Sequence, residues 1–193
     1  MRIVAVTAGL TRPSSTRLLA DRLAAAVAGR LEGAEVEVVE LRELATEIAH
    51  AFVTGFPGRT LREALDAVAS ADGLIAVTPI FTASYSGLFK SFFDVLDPDA
   101  LAGKPVLIAA TGGTARHSLA LEHALRPMFS YLRAIVVPTA VYAASEDWGT
   151  EDGLSERTDR AAEELAALVR DRKPASEPAF VPFAERLAAL ADE

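Results

Sequence analysis

The residues best suited to hold a ligand fall in three short stretches. Between Gly9 and Arg17 stand four hydroxyl side chains, Thr11, Ser14, Ser15 and Thr16, and two guanidiniums, Arg12 and Arg17. They precede a helix whose first amides have no partner inside the helix. Oriented N–H groups at a helix start attract phosphate. Ser and Thr also belong at an ordinary N-cap. The acidic residue of a capping box is missing, however, because Arg17 and Leu18 stand three residues after Ser14 and Ser15. A cation in the first turn opposes the helix dipole by roughly 0.3–1 kcal/mol, which a bound dianion would offset. Neither a Gly-Lys-Ser/Thr run nor a G-x-G-x-x-G pattern occurs. The loop therefore points away from ATP, GTP and a Rossmann-bound dinucleotide, and toward a mononucleotide phosphate gripped by hydroxyls.

The second stretch runs from Val77 to Lys90. It leaves an apolar strand at residues 74–77, breaks at Pro79, and restarts as a helix after Ser84-Tyr85-Ser86. Residues 79–86 contain no acid, base or metal ligand. Small, apolar and hydroxyl-bearing, they suit a flat aromatic cofactor better than a hydrolytic centre. The third stretch, Thr111-Gly112-Gly113-Thr114, ends another apolar strand and offers two amides without side chains for close backbone approach. A plain strand-to-helix turn would look the same.

The surrounding elements explain how these stretches could meet. Apolar runs at residues 3–8, 36–41, 74–77, 104–111 and 134–143 read as strands alternating with helices. Leu19, Leu23, Val27 and Leu31 mark the first helix, Leu61, Leu65 and Val68 the second, and Leu88, Phe89, Phe92, Phe93 and Leu96 the third. A helix over 117–132 is interrupted near Pro127, and a charged amphipathic helix spans 155–172. Residues 42–59 show no clear pattern beyond the Gly55-Phe56-Pro57-Gly58 loop. This alternation predicts an α/β protein with a parallel sheet and helices on both faces. The order of strands does not follow from periodicity; their number, five, and the chain's size favour a flavodoxin-like three-layer sandwich with a five-stranded sheet in the order 2-1-3-4-5. In that order the loops after strands one, three and four emerge at one edge, where open α/β sheets bind ligands. Residues 1–172 are expected to form this domain and residues 173–193 a linker and short helix.

The totals narrow the class. The chain has 193 residues, 51% hydrophobic, with a formal net charge of −8 and no basic run, which argues against nucleic acid and anionic membranes. It has no cysteine, so disulfides, thiolate metal sites and a Cys nucleophile are excluded. The polar start and the lack of a 20-residue apolar stretch point to a cytoplasmic protein.

Together, Gly9-x-x-Arg12-x-x-Ser15, the loop from Thr78 through Gly87 to Lys90, and Ala110-Thr111-Gly112-Gly113-Thr114-x-x-His117 resemble the NADPH-dependent FMN reductases of flavodoxin-like fold. The third run, continuing through Arg126-Pro127, is most similar to the branch that supplies reduced flavin to two-component monooxygenases. The resemblance implies that Thr11, Arg12, Ser14, Ser15, Thr16 and Arg17 hold the FMN phosphate. It implies that Pro79, Ile80, Phe81 and Thr82 line the isoalloxazine, and that Thr111, Gly112 and Gly113 contact its polar edge. It further implies NADPH or NADH as hydride donor and a flavin-dependent monooxygenase as partner. Hydride transfer from nicotinamide to flavin needs stacking and distance, not a side-chain nucleophile, so no catalytic side chain is expected.

His117 is the histidine expected to meet substrate, and His50 reads as surface. For His123 the resemblance implies a helix bulge at a subunit interface, with plain helix surface as the alternative. The Phe89-Phe92-Phe93 cluster exceeds what one helix face can bury, which predicts a homodimer or homotetramer. Lys90 and Asp94 are spaced to pair. The rival readings are a quinone-, azo- or chromate-type reductase with tightly held FMN, and a flavodoxin-type electron carrier.

Overall fold

A computed structural model describes residues 1–149 and 151–172; the expected linker and helix of 173–193 lie outside them. Strands β1 (Arg2–Thr7), β2 (Glu35–Glu40), β3 (Gly73–Phe81), β4 (Ser84–Tyr85), β5 (Pro105–Gly112), β6 (Ile135–Val136) and β7 (Val141–Ala144) join in one sheet. Its main order is β2-β1-β3-β5-β6, all parallel, with β7 also parallel to β5 and β4 antiparallel to β3. This is the flavodoxin-like order expected.

The strands are buried on both faces, so their side chains divide by alternation. Val4, Val6, Leu74, Ala76, Val106 and Ile108 pack with α2 (Leu41–Thr54), α3 (Arg59–Ser70), α4 (Gly87–Val95) and α5 (Arg126–Tyr131). Ile3, Ala5, Ile75, Val77, Leu107 and Ala109 pack with α1 (Ser15–Ala28) and α6 (Glu151–Asp171). Lys104, 1% exposed, terminates α3: its ammonium donates to the carbonyls of Val68, Ala69 and Ala71 at 2.8, 2.8 and 2.7 Å.

Four expectations are corrected. Most of residues 42–59 belongs to the helix α2, which starts at Leu41, buries Leu41, Leu44, Ile48 and Ala51, and ends at Gly55 in the left-handed conformation, φ 76°. Second, β3 does not break at Pro79 but runs on to Phe81. Its pairing to β1 ends at Val77 and its pairing to β4 begins at Ile80, so at Pro79 only β5 flanks it and the missing proline N–H leaves no gap.

Third, the fifth strand is two short ones. β6 pairs with the start of β5 and β7 with its end, with Pro138 between them. Fourth, the 117–132 helix begins as a turn at Ala115–His117, passes through a π-helix at Leu121–Leu125 that contains His123, and becomes α-helical only at Arg126. The bulge at His123 is therefore present. Pro127 is not the break; it sits in the first turn of α5, where its missing donor is harmless.

Phe89, Phe92 and Phe93 are at most 3% exposed and pack with Phe129 inside the chain, at ring separations of 4.9 to 6.2 Å. They are core, and the surplus that had pointed to a subunit interface does not exist.

Candidate active site

The ends of β1, β3 and β5 bring the three stretches together around a cavity of about 340 Å³. Thr11, Ser14, Ser15 and Thr16 line one part, Pro79, Ile80 and Phe81 another, and Thr111, Gly112 and Gly113 a third. Among the described residues no charged side chain lines it.

The first loop is shaped by a close contact. Ser14 caps α1, its hydroxyl accepting from the Arg17 amide at 3.2 Å. A side chain at Gly9 would place its Cβ 2.0 Å from that hydroxyl oxygen, so only glycine admits the cap. The first backbone bond of the helix is donated by Leu18 to the Ser14 carbonyl at 3.0 Å. The amides of Ser15 and Thr16 precede it and face the loop, and the first turn carries no acid.

Arg12 and Arg17 do not join them. Arg12 donates to Glu43 at 2.7 Å; Arg17 donates to Asp21 at 2.8 Å and also to Glu40. The Arg17 pKa is held above its usual value by the Asp21 hydrogen bond first, with Glu40 adding to it. Arg42 completes the cluster, 3.3 Å from Glu40 and donating at 3.3 Å to the Thr11 carbonyl. Three guanidiniums thus face three carboxylates beside the loop, so the cluster carries no net charge.

The second wall is a hairpin. Ile80 pairs with Tyr85 and Phe81 with Ser84, across Thr82 and Ala83 at φ 49° and 64°. Thr78, fully buried, accepts from the Ser86 amide at 3.1 Å and donates to the Pro79 carbonyl at 3.0 Å. Ser86 then caps α4, accepting from the Phe89 amide at 3.1 Å. Thr82 stands exposed at the hairpin tip, outside the cavity, unlike its expected place against the ring.

The third wall is locked from behind. The Tyr142 hydroxyl donates to the Thr114 carbonyl at 2.9 Å, and a Cβ on Gly112 would lie 2.1 Å from its oxygen. Burial, and then the nearby Asp147, push the Tyr142 pKa up, so the phenol keeps the proton it donates. His117 is exposed and lies outside the cavity. The site gains three residues that sequence reading missed: Leu10, Ser145 and Trp148. Leu10 directly follows Gly9 and was within reach of the loop pattern. Ser145 and Trp148 carried no local signal, because only the pairing of β7 with β5 brings them here.

Fold and cavity define a flavodoxin-like α/β protein with a mononucleotide-type site at the carboxyl edge of its sheet. The sequence model of the NADPH-dependent FMN reductases matches residues 1–149, and the chain belongs to that family of oxidoreductases. It is 39% identical over 175 residues to an FMN reductase (NADPH) of Pseudomonas aeruginosa, covering 89% of this chain and 94% of that one. It is 38% identical over 172 residues to the NADH-dependent FMN reductase SfnF of Pseudomonas fluorescens, covering 87% and 91%. Among solved structures, an oxidoreductase from Corynebacterium diphtheriae superposes with a TM-score of 0.84 at 48% identity, covering 89% of this chain and 98% of that one.

Proposed function

We propose that residues 1–172 form an NAD(P)H-dependent FMN reductase working in the cavity described above. The observation that carries this is the donor set: a cavity lined by no charged side chain among the described residues, with hydroxyls and unpaired helix amides at one end and an apolar hairpin beside a glycine turn at the other. That set fits a phosphate joined to a flat aromatic ring. When bound, FMN supplies the ring that accepts hydride from the reduced nicotinamide.

Thr11, Ser14, Ser15 and Thr16, with the amides of Ser15 and Thr16, hold the phosphate. Arg12 and Arg17, tied to carboxylates, brace the loop from outside. Pro79, Ile80 and Phe81 lie along the ring; Phe81 is 46% exposed, which leaves an approach for nicotinamide. Thr111 and the amides of Gly112 and Gly113 meet the polar edge, where peptide N–H groups favour negative charge. His117, in the turn that follows this wall, serves the incoming dinucleotide.

The cavity then releases reduced FMN to a flavin-dependent monooxygenase. The acidic, cysteine-free composition suits the cytoplasm, and no helix among the described residues is long and apolar enough to cross a membrane. A homodimer or homotetramer is supported by exposed apolar side chains on and just past α2, where Phe52, Val53 and Phe56 are 52%, 87% and 74% exposed.

Titration of the protein with FMN tests the site. Replacing Ser14 and Ser15 together by alanine is expected to weaken binding by roughly 1–3 kcal/mol, through lost bonds to a charged group. Unchanged affinity would remove the helix start from the site.

A further inference from the structure

The one tryptophan of the chain, Trp148, is a part of the cavity wall that the three loops do not explain. It stands in the turn Ser145–Gly149 beyond β7 and lines the cavity together with Ser145. The carbon of the Arg22 guanidinium lies 5.0 Å from its ring centroid, within cation–π range. Arg22 is on α1, two helical turns after Ser15 and on the same stripe as Ser15 and Leu18. Trp148 also packs on the apolar cluster between α1 and α6.

The turn is itself anchored. Asp147 accepts from the Ala144 amide at 2.7 Å and from Arg157 at 3.1 Å. The indole is therefore held from two sides, by Arg22 and by its own backbone. It is coupled to α1, whose first turn carries the hydroxyls, rather than to the hairpin that carries Phe81.

We propose that Trp148, seated on Arg22, is a flavin-binding residue that closes the phosphate and ribityl end of the cavity and sets how fast flavin leaves. This rests on the flavin reading above. An indole offers a large, flat and rotationally restricted surface. A guanidinium stacked on it fixes its plane while remaining solvated at its edges. Arg22 is then a positioning residue, acting on flavin only through the ring it holds.

The test uses the full chain and FMN, with fluorescence of the single tryptophan and stopped-flow release as readouts. In the wild type, FMN should quench Trp148 saturably, with the same midpoint as flavin binding followed by equilibrium dialysis. Trp148→Ala should raise the Kd about tenfold, mostly through faster release, with Trp148→Phe falling between it and the wild type. Arg22→Gln should raise the Kd about threefold and shift the free-protein tryptophan emission, and Arg22→Lys should restore part of both.

Far-ultraviolet dichroism of each variant establishes that it is folded, and Trp148→Phe keeps the packing if the alanine variant does not fold. Wild-type binding of FMN without quenching of Trp148, or release from Trp148→Phe and Trp148→Ala at the wild-type rate, overturns the proposal while leaving the flavin reading intact. Absence of FMN binding to the wild type overturns both.

Discussion

The hydroxyls of Thr16 and Thr111 share a 2.8 Å hydrogen bond, although 95 residues separate them in the chain. They are 2% and 3% exposed, and both line the cavity. The bond ties the start of α1 to the end of β5, the two segments proposed to meet the phosphate and the polar edge of FMN. Two hydroxyls use only one of their O–H groups in bonding to each other. The second O–H is left for a ligand.

Thr16→Val removes that link and leaves the Thr111 hydroxyl without its buried partner. Stability in urea should fall by about 1–2 kcal/mol, and FMN affinity should fall with it. Thr16→Ser keeps the oxygen and should retain most of both. Equal losses in the serine and valine variants would assign the effect to packing of the methyl group instead.

Gly112→Ala should weaken FMN binding and lower the thermal midpoint, because its Cβ would sit 2.1 Å from the Tyr142 oxygen. That hydroxyl is held by the Thr114 carbonyl at 2.9 Å and cannot step aside without losing its bond. Adding Tyr142→Phe removes the clashing oxygen and should recover part of the loss. Independent, additive effects in the double variant would contradict the steric account.

The hairpin tip carries Thr82 and Ala83 at φ 49° and 64°, a conformation that disfavours side chains and β-branched ones most. Ala83→Gly relieves about 1–2 kcal/mol of strain and gives back about 0.5–1 kcal/mol in unfolded-state entropy. A net gain near 0.5–1 kcal/mol is therefore expected by chemical denaturation. A destabilised glycine variant would show that the turn is not strained.

Lys104 gives a pH signature. Burial first, and then Arg172, lower its pKa to about 8, with Asp72 opposing. Between that value and the ~10.4 of an unfolded lysine, the unfolded chain holds the extra proton, so this group's contribution to stability rises with pH. The rise is at most roughly 3 kcal/mol, since the three carbonyl bonds favour the cation. The margin of the wild type over Lys104→Met in urea should therefore widen as pH climbs through this window. A margin that narrows would mean that the carbonyls outweigh burial.

Arg12→Ala should change FMN affinity by less than about threefold, because its guanidinium is spent on Glu43 beside a nearly neutral cluster. A tenfold loss would return that cation to the phosphate.

What the sequence revealed follows from how local each signal is. The hydroxyls before α1, the small apolar run through Pro79 and Phe81 and the paired glycines at the end of β5 are runs of neighbours, so each could be singled out in the sequence, and the fold brings them to one cavity. The sheet order does not follow from the spacing of the apolar runs; their number, five, and the chain's size favoured it, and the order β2-β1-β3-β5-β6 agrees. What escaped depends on partners distant in sequence. Arg12 and Arg17 looked like phosphate ligands because Glu43 and Glu40 lie inside or at the start of a helix that went unread, although Asp21, four residues after Arg17, was a local partner in view. Trp148 reaches the site only through an edge strand split at Pro138. Pro79 looked like a strand end because nothing local shows that β1 stops first.

The most direct test of the central claim is the initial rate of NADPH and NADH oxidation by the purified protein, with free FMN varied from none to large excess. The account predicts turnover that depends on added FMN, saturates with it, and reduces many equivalents of flavin per protein chain. Binding of FMN without turnover by either nucleotide would contradict it and would mark the protein as an electron carrier.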